Sequence, residues 1–328
     1  MMRAAIYTGT GGTDVIAIRD DVPEPEFGSD DALIDVAYAG LNRADILERR
    51  GNYPAPKRDI VIPGLEFSGT VRTIGPGVSN VAVGDVVCGL VAAGAHATRL
   101  ATHALTLAKI PTGVSLRDAA AIPEAFITAH DALFARGGLR LGESVLVHAV
   151  GSSVGLAAVA LAKRAGALTI GTSRTATKLD RARDCGLDHG FLLDDGWVGH
   201  VLAATAARGA DVILDFAGAS TLDLNCKALA TGGRIVQIGT MAGTRATFNL
   251  GALLMKRGAL HGTVLRSRPL EEKIALTKAF EREVLPLFRR GELRPQIDSV
   301  FPLGDLADAH AHMERDANFG KIVIETAV

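Results

Sequence analysis

The sequence predicts an α/β protein in which a β-rich domain is followed by a doubly wound parallel sheet. Residues 1–124 are rich in Gly, Pro and Val, and residues 32–40 and 68–74 alternate in part between apolar and polar side chains, as strands do. From residue 125 to 267, strands, turns and helices follow one another repeatedly. That alternation favours a parallel sheet with helices on both faces. The length of 328 residues suits two domains.

The second domain is built from regular strand and helix signals. Residues 144–150 form an apolar run that predicts a buried strand, and residues 154–165 are apolar nearly all round, as in a helix packed on a sheet. Further strands are predicted at 168–172, 211–216 and 234–238. An amphipathic helix is predicted over 270–290, followed by strands near 299–301 and 321–325. We expect this tail, residues 268–328, to return to the first domain.

Charge, cysteine usage and hydropathy exclude several classes of protein. Thirty-five basic and 36 acidic residues leave a net charge of −1, which argues against bulk electrostatic binding of nucleic acid or of an anionic membrane. The three cysteines lie far apart and form no CxxC pair, which favours a reducing compartment. No apolar run reaches the roughly 18 residues of a membrane span. We therefore expect a cytoplasmic protein with no membrane or nucleic-acid partner.

The segment 145–167 carries the strongest functional signal. An apolar strand enters a turn of small residues, Gly151-Ser152-Ser153-Val154-Gly155, and then an apolar helix. This is a variant of the G-x-G-x-x-G dinucleotide fingerprint, with serines where glycine is common. Backbone N–H groups at such a helix start bind pyrophosphate, and the serine hydroxyls can donate to it. We predict cofactor contacts at Gly151, Ser152, Ser153 and Val154. A purely structural turn is the alternative.

The end of the next strand indicates which dinucleotide binds. An NAD site places Asp or Glu about 20 residues after the turn to bind the ribose 2′-hydroxyl. Here the strand ends at Ser173 and Arg174, with Lys178 following and no acid between them. A hydroxyl and two cations suit a 2′-phosphate, so we predict NADPH as the cofactor. The alternative is a solvated basic helix start.

Several segments in the same order resemble one known family. They are AGLNRADILERRGNYP (39–54), PGLEFSGTV (63–71), GPGV with VGDVV (75–87), AAAIPEAFITAHDAL (119–133), LDFAGA (214–219), LLMKRGAL (253–260), LRSR (265–268) and NFGKIVIE (318–325). The chain resembles zinc-independent medium-chain dehydrogenase/reductases, within them the zeta-crystallin-like quinone oxidoreductases, and most of all their tumour-suppressor-inducible branch. The resemblance implies a GroES-like catalytic domain (1–124 and 268–328), a Rossmann domain (125–267) and a cofactor in the cleft between them.

The resemblance does not extend to zinc. Zinc-dependent relatives carry a Cys near residue 43, a Gly-His-Glu at 64–66 and a four-Cys lobe at roughly 90–110. This chain has Arg43 and Leu65 at the first two places and lacks the lobe. A zinc site needs three or four N, S or O ligands. We therefore expect no metal.

The resemblance also implies roles for individual residues. Asn42 and Tyr53 match positions at the nicotinamide and substrate end, where Tyr53 either donates from its phenol or covers the ring. The remaining implied cofactor contacts are Thr128, Gly239, Met241, Leu265, Ser267 and Asn318.

Each of these residues also has a structural alternative. Tyr53 can pack beside Pro54, Asn42 can cap a turn, and Thr128 can bond to its own helix. Asp45 matches a family acid or caps a helix. Lys321 reaches a phosphate or lies on the surface.

Three functions stay open at this stage. The leading one is NADPH-dependent reduction of a quinone, in which the nicotinamide supplies the hydride and the protein supplies position and electrostatics. The second is NADPH-dependent reduction of an enone or alkenal double bond. This reaction also protonates a carbon atom, so it benefits from a proton donor such as Tyr53 held near the substrate. The third is a non-catalytic NADPH- or RNA-binding role. Family analogy suggests a homodimer through edge strands near 258–265.

Overall fold

The computed structural model describes residues 1–53 and 59–327. Contacts divide the chain into a first unit, Met1–Ile127 together with the chain from Arg266 onward, and a second unit, Thr128–Leu265. The sequence places the corresponding boundaries at 124/125 and 267/268. The chain therefore leaves the first unit once and returns to it.

The first unit begins with strands and short helices. They are β1 (Met2–Tyr7), β2 (Ile16–Val22), β3 (Asp31–Leu41), α1 (Arg43–Arg49), β4 (Glu66–Ile74), β5 (Val86–Leu90), β6 (Arg99–His103), β7 (Leu107–Lys109), α2 (Leu116–Ala119) and α3 (Pro123–His130). Strand β3 is central, because it pairs antiparallel with both β4 and β6. Its side chains Ile34 and Val36 pack with Phe67 and Val87 in a buried core.

The second unit is a parallel sheet flanked by helices. Its elements are β8 (Ser144–Val147), α4 (Ser153–Arg164), β9 (Leu168–Ser173), α5 (Ala176–Arg183), β10 (His189–Leu192), α6 (Trp197–Ala204), β11 (Ala210–Asp215), α7 (Leu222–Ala228), β12 (Leu229–Gln237), α8 (Leu250–Met255) and β13 (Ala259–Gly262). Across the residues that the structure describes here, six strands run in the order β10-β9-β8-β11-β12-β13, and each neighbouring pair is parallel. The predicted doubly wound sheet is confirmed.

One predicted strand is shorter than expected. The run 144–150 continues as a strand only to Val147, and residues 148–150 form a turn. Ala149 has a φ of +46°, which no strand residue adopts. The apolar run extends past the strand because His148 and Val150 of the turn are buried, although Ala149 is exposed.

The chain after Arg266 completes the first unit. Its elements are α9 (Leu270–Glu283), α10 (Leu285–Arg289), β14 (Ile297–Pro302), α11 (Leu306–Glu314) and β15 (Lys321–Glu325). The single helix expected over 270–290 is wrong, because Pro286 occupies the first turn of α10, where a missing N–H costs nothing. Strand β15 pairs antiparallel with β3. No helix among the described residues is both long enough and apolar enough to cross a membrane.

Candidate active site

The carboxyl ends of neighbouring strands bring together most of the residues predicted to bind a cofactor. Strands β9, β8, β11 and β12 lie side by side in the second unit. The loops after β8, β9 and β12 hold residues 148–152, 174–175 and 238–241. Ligands of open α/β sheets bind beyond the carboxyl ends of the strands. Segments that are far apart in sequence therefore meet at the edge where a dinucleotide is expected.

The turn after β8 presents donors at the start of α4. Ser152 is the N-cap of this helix, and its Oγ accepts a hydrogen bond from the Gly155 N–H at 3.1 Å. The hydroxyl proton of Ser152 can still be donated to a ligand. The first N–H groups of a helix have no partner within it, and Ser153 and Val154 occupy these positions. Together these groups suit a phosphate.

The residues predicted to bind a 2′-phosphate lie beside this turn. Ser173 ends β9 and is buried, with its Oγ accepting from the Thr175 N–H at 3.2 Å. A Cβ at Gly151 would lie 2.9 Å from Cδ of Lys178, so the aliphatic chain of Lys178 crosses directly over this glycine. Arg174 is exposed at the strand end. Lys178 thus packs against the turn after β8, and Arg174 follows the neighbouring strand β9.

The other predicted cofactor residues of the second unit show different degrees of burial. Thr128 is buried, and among the described residues its Oγ1 has no hydrogen-bond partner. The expected alternative, a bond to its own helix, is therefore not formed, and this hydroxyl keeps unused hydrogen-bonding capacity. Gly239 follows β12 close to Phe216, and Met241 is half exposed. Leu265 is buried at the end of the unit.

A buried polar network lies beneath the phosphate turn. His148 Nε2 and Asn225 Oδ1 are 2.7 Å apart, and Asn225 Nδ2 donates to Asp215 at 2.7 Å. Because the amide oxygen can only accept, Nε2 carries the proton and Nδ1 accepts from the Thr172 hydroxyl at 2.7 Å. Burial lowers the pKa of His148, against the opposing effect of the Asp215 charge. The network ties the strand ends together with a neutral imidazole.

In the first unit, a buried cation stands beside Asn42. The Lys321 ammonium donates to Asn42 Oδ1 at 2.6 Å and to the Glu66 carboxylate, and the side chains of Lys321 and Glu66 are sealed from solvent. Asn42 Nδ2 donates to Glu66 at 3.0 Å. Glu66 packs against Gly40, and any side chain at position 40 would collide with the Glu66 carboxylate. Of the two alternatives for Lys321, the surface position is wrong, because its side chain is buried.

Asn42 and Asp45 form a capping box at the start of α1. Asp45 accepts from the N–H of Asn42 at 2.8 Å and from the N–H of Gly64 at 3.1 Å. Burial raises the pKa of Asp45 to about 7, even though these two hydrogen bonds lower it. The helix-capping interpretation therefore describes what both side chains do.

Tyr53 lies near a second carboxyl group of raised pKa. Burial raises the pKa of Glu124 to about 7, the Glu66 charge adds to this, and Lys321 opposes it. Glu124 is partly buried, and its backbone N–H donates to the Glu66 carboxylate at 2.8 Å. Burial raises the pKa of Tyr53, Glu124 raises it further, and the guanidinium of Arg266 lowers it. The alternative contact of Tyr53 with Pro54 lies outside the described residues.

Two further predicted residues also lie in the first unit. Asn318 donates to the Gly320 carbonyl at 2.9 Å, and Ser267 is exposed in a turn. Tyr53, Asn42, Ser267 and Asn318 thus belong to one unit, and the remaining predicted cofactor contacts belong to the other.

Comparisons with known proteins agree with this arrangement. The family model described as "Alcohol dehydrogenase GroES-like domain" matches residues 28–131, and "Zinc-binding dehydrogenase" matches residues 153–281. Quinone oxidoreductase-like protein 2 of Mus musculus is 30% identical over 311 residues, covering 94% of this chain and 88% of that protein. The chain belongs to the medium-chain dehydrogenase/reductase family. It is an oxidoreductase fold with a GroES-like and a Rossmann-like part.

Other members of the family are similar at comparable levels. The synaptic vesicle membrane protein VAT-1 homolog of Danio rerio is 28% identical over 338 residues, which cover 99% of this chain and 70% of that protein. The solved structure of a mycobacterial protein complexed with NADPH is 29% identical, with a TM-score of 0.86 and coverage of 99% and 100%. Members of the family therefore share this fold under several names, and the fold alone does not select a substrate.

The described residues of this chain do not fit the zinc that some medium-chain dehydrogenase/reductases bind. Within the described ranges, no group of three or more His, Cys, Asp and Glu side chains is placed to hold a metal ion. Arg43 is paired with Asp316, and Leu65 is buried as a core residue. The Glu66 carboxylate already binds the ammonium of Lys321. We derive no chemistry from zinc.

Sequence reasoning missed several residues around these sites. His148 could have been suspected, because it is a polar residue at the end of an apolar strand, and Asp215 ends another. The pairing of Lys321 with Glu66 leaves no local pattern, since the two residues are 255 positions apart. The side chain of Arg266 also had no role assigned from the sequence.

Proposed function

We propose that this protein is an NADPH-dependent oxidoreductase that reduces a quinone without a metal. The choice of NADPH over NADH rests on the side chains at the end of β9, next to Gly151. There β9 ends at Ser173 and is followed by Arg174, with no acid, and the side chain of Lys178 packs against Gly151. The unpartnered Thr128 hydroxyl and the donors at the start of α4 support dinucleotide binding.

The chemistry required of the chain itself is modest. A bound nicotinamide supplies the hydride, and the reduced quinone oxygen becomes a phenolate that hydrogen-bond donors stabilise. Tyr53 is the donor we assign to that oxygen. Asn42 is held by Lys321 and Glu66, so its amide orientation is fixed on the same unit. Because a phenolate also collects a proton from water, a quinone needs no further acid.

Reduction of an enone is the second candidate, favoured by one observation. A partly buried phenol surrounded by charged side chains is suited to protonating carbon, which an enone requires and a quinone does not. Exchange of Tyr53 for Phe would then remove most enone turnover, by about 100-fold or more. It would reduce quinone turnover only modestly. Tyr38→Phe is the matched control, because the Tyr38 hydroxyl bonds to Glu325 at an exposed place.

The deciding experiment follows NADPH oxidation at 340 nm by chelator-treated protein. 9,10-Phenanthrenequinone and 2-cyclohexen-1-one are offered in parallel, each with NADPH and with NADH. Fast turnover of the quinone with NADPH supports the proposal. Turnover of the enone alone supports the double-bond reductase. NADPH binding with neither turnover would favour the non-catalytic role, and equal use of NADH would contradict the cofactor assignment.

We also propose that the protein forms a homodimer through the β13 edge of the parallel sheet. We further propose that it resides in a reducing compartment such as the cytoplasm. Strand β13 ends the strand order of the described sheet. Leu250, Leu254 and Met255 of the adjoining α8 are each at least 70% exposed, and Leu260 of β13 is 41% exposed. An apolar edge of this kind is protected by pairing with a second copy. The three cysteines are all free.

A further inference from the structure

Arg266 is a buried cation held from two sides. Its side chain is 6% exposed, and its Nε donates to the carbonyl oxygen of Ala92 at 2.7 Å. Its Nη1 lies 2.8 Å from Oε2 of Glu48, which projects from α1. The guanidinium carbon stands 5.3 Å from the centre of the Tyr53 ring. The anchors from Ala92 and Glu48 therefore fix the cation against one aromatic face.

The contacts of Arg266 leave part of its hydrogen-bonding capacity unused. Nη1 and Nη2 are buried, and within the described residues neither has a well-directed acceptor. The Glu48 contact is thus an ion pair rather than an aligned hydrogen bond. A buried donor without an acceptor destabilises the fold, so such groups in native proteins often belong to functional sites.

Most charges that face Tyr53 oppose ionisation of its hydroxyl. The carboxyl groups of Glu124, Asp45 and Glu48 each disfavour the phenolate, as does burial. Arg266 acts in the opposite direction. A phenol that gives up a proton needs such a cation beside it, because the anion that remains is otherwise surrounded by acids.

We propose that Arg266, held by Glu48, is a positioning residue that fixes the Tyr53 ring and stabilises its phenolate while Tyr53 passes a proton to the reduced substrate. This inference rests on the proposed function. The substrate accepts a hydride, and with it two electrons, from the nicotinamide, which is oxidised. The O–H bond of Tyr53 breaks as the proton moves to the reduced substrate. Solvent water then returns a proton to the phenolate.

Arginine suits this role better than lysine. A planar guanidinium stacks on a ring while its edge binds a carbonyl and a carboxylate, whereas an ammonium cannot do both at once. Arg266→Lys should therefore keep the charge and lose the fixed geometry. Arg266→Met removes both.

The first test needs no substrate. The tyrosine absorbance at 295 nm is titrated with pH in the wild type and in Tyr53→Phe, and the difference isolates Tyr53 from the other two tyrosines. We expect Arg266→Met to raise the Tyr53 titration midpoint by about one pH unit. Arg266→Lys should raise the Tyr53 midpoint by a smaller amount. This variant provides the test if Arg266→Met does not fold. An unchanged midpoint overturns the inference.

Arg234→Met is the matched control. Arg234 also donates from Nε to a carbonyl oxygen, that of Gly137 at 2.6 Å, and its guanidinium pairs with Glu143 at 2.7 Å. It belongs to the second unit, whereas Tyr53 belongs to the first. Its loss should lower thermal stability without moving the Tyr53 midpoint.

The second test is a double-mutant cycle with whichever substrate turns over. With an enone, Arg266→Met should lower kcat by about 10-fold or more; with a quinone, its effect should not exceed the modest one of Tyr53→Phe. In the Tyr53→Phe background it should change kcat by less than about twofold with either substrate. Independent losses from the two changes overturn the positioning role and leave the proposed function intact. A preserved titration shift with no turnover of quinone or enone overturns the proposed function and upholds the Arg266–Tyr53 coupling.

Discussion

Lys321 and Glu66 form an ion pair with both side chains sealed from solvent, and they join the first residue of β15 to the first residue of β4. Taking two charges out of water is unfavourable, and their mutual attraction offsets this only when both are present. Asn42 accepts a further hydrogen bond from the ammonium. The attachment of β15 to the rest of the first unit therefore depends on both side chains of this pair being present.

Replacing Lys321 with Met should lower the free energy of unfolding by about 3–5 kcal/mol, since it leaves the Glu66 carboxylate buried without its cation. Urea denaturation measures this, and replacing both partners with Met should recover a large part of the loss. Lys227→Met is the control, because Lys227 pairs with Asp223 at an exposed place. That change should cost less than about 1 kcal/mol. Equal effects of the two lysine variants would contradict the assignment.

Asp45 should make the first unit less stable as pH rises. Its folded pKa of about 7 lies above the unfolded value of about 4, so folding binds a proton between these pH values. The stabilisation is complete below pH 4 and is lost as pH rises through 7. Asp45→Asn stays neutral, so between pH 5 and pH 8 its stability should improve by roughly 2 kcal/mol relative to the wild type.

The measurement for Asp45 is the urea midpoint at several pH values, compared with that of Asp308→Asn. Asp308 is exposed on α11, and its replacement should leave the pH dependence of the wild type unchanged. The buried histidines titrate in both proteins, so the difference between wild type and Asp45→Asn reports Asp45 alone. A difference that stays constant with pH would show that the Asp45 carboxyl ionises normally.

The basic edge beside the phosphate turn should select the dinucleotide. Changing both Arg174 and Lys178 to Ala removes the charges placed to bind a 2′-phosphate. We expect the Kd for NADPH to rise by about 100-fold or more, since each of the two charge-assisted contacts contributes about 1.5–3 kcal/mol. The Kd for NADH should change less than about threefold, and calorimetry measures both. Parallel losses for both nucleotides would mean that these side chains hold the turn rather than the phosphate.

The proposed dimer should depend on the β13 edge and on α8. Leu254→Glu combined with Leu260→Lys places charges on side chains that are 74% and 41% exposed. Light scattering should then change from twice the chain mass of 34.2 kDa to a single chain. Leu141→Lys is the matched control, as this leucine is 86% exposed elsewhere in the same unit. A wild type that is monomeric at micromolar concentration would refute the proposal.

The sequence predicted the architecture because its signals are local. A continuous apolar strand, a small-residue turn and an apolar helix at 145–167 specify one βα unit by themselves. The split of the tail helix at Val284 was missed because its apolar periodicity continues past Pro286, while the backbone has to restart there.

The candidate site was predictable only in part. Gly151, Ser173 and Lys178 follow strand ends and could be placed from the repeat of the second unit alone. The cation over Tyr53 could not, because Arg266 reaches it from a distant segment and no local pattern specifies that contact. Lys321 shows the same limit, since an isolated lysine in a sequence is most often a surface residue.

The insertion of the second unit between residues 127 and 266 has a consequence for synthesis on the ribosome. The parallel sheet is made of one uninterrupted stretch, so the nascent chain can fold it as soon as that stretch has emerged. Strand β3, by contrast, waits for β15, which pairs Ile322 with Leu41. Until then residues 38–41 of β3 lack their partner strand on that side, and Glu66 lacks its cation. The part of the first unit that precedes the insertion is therefore completed only after the second unit has been made, and its unpaired strand is open to aggregation and to chaperones in the meantime.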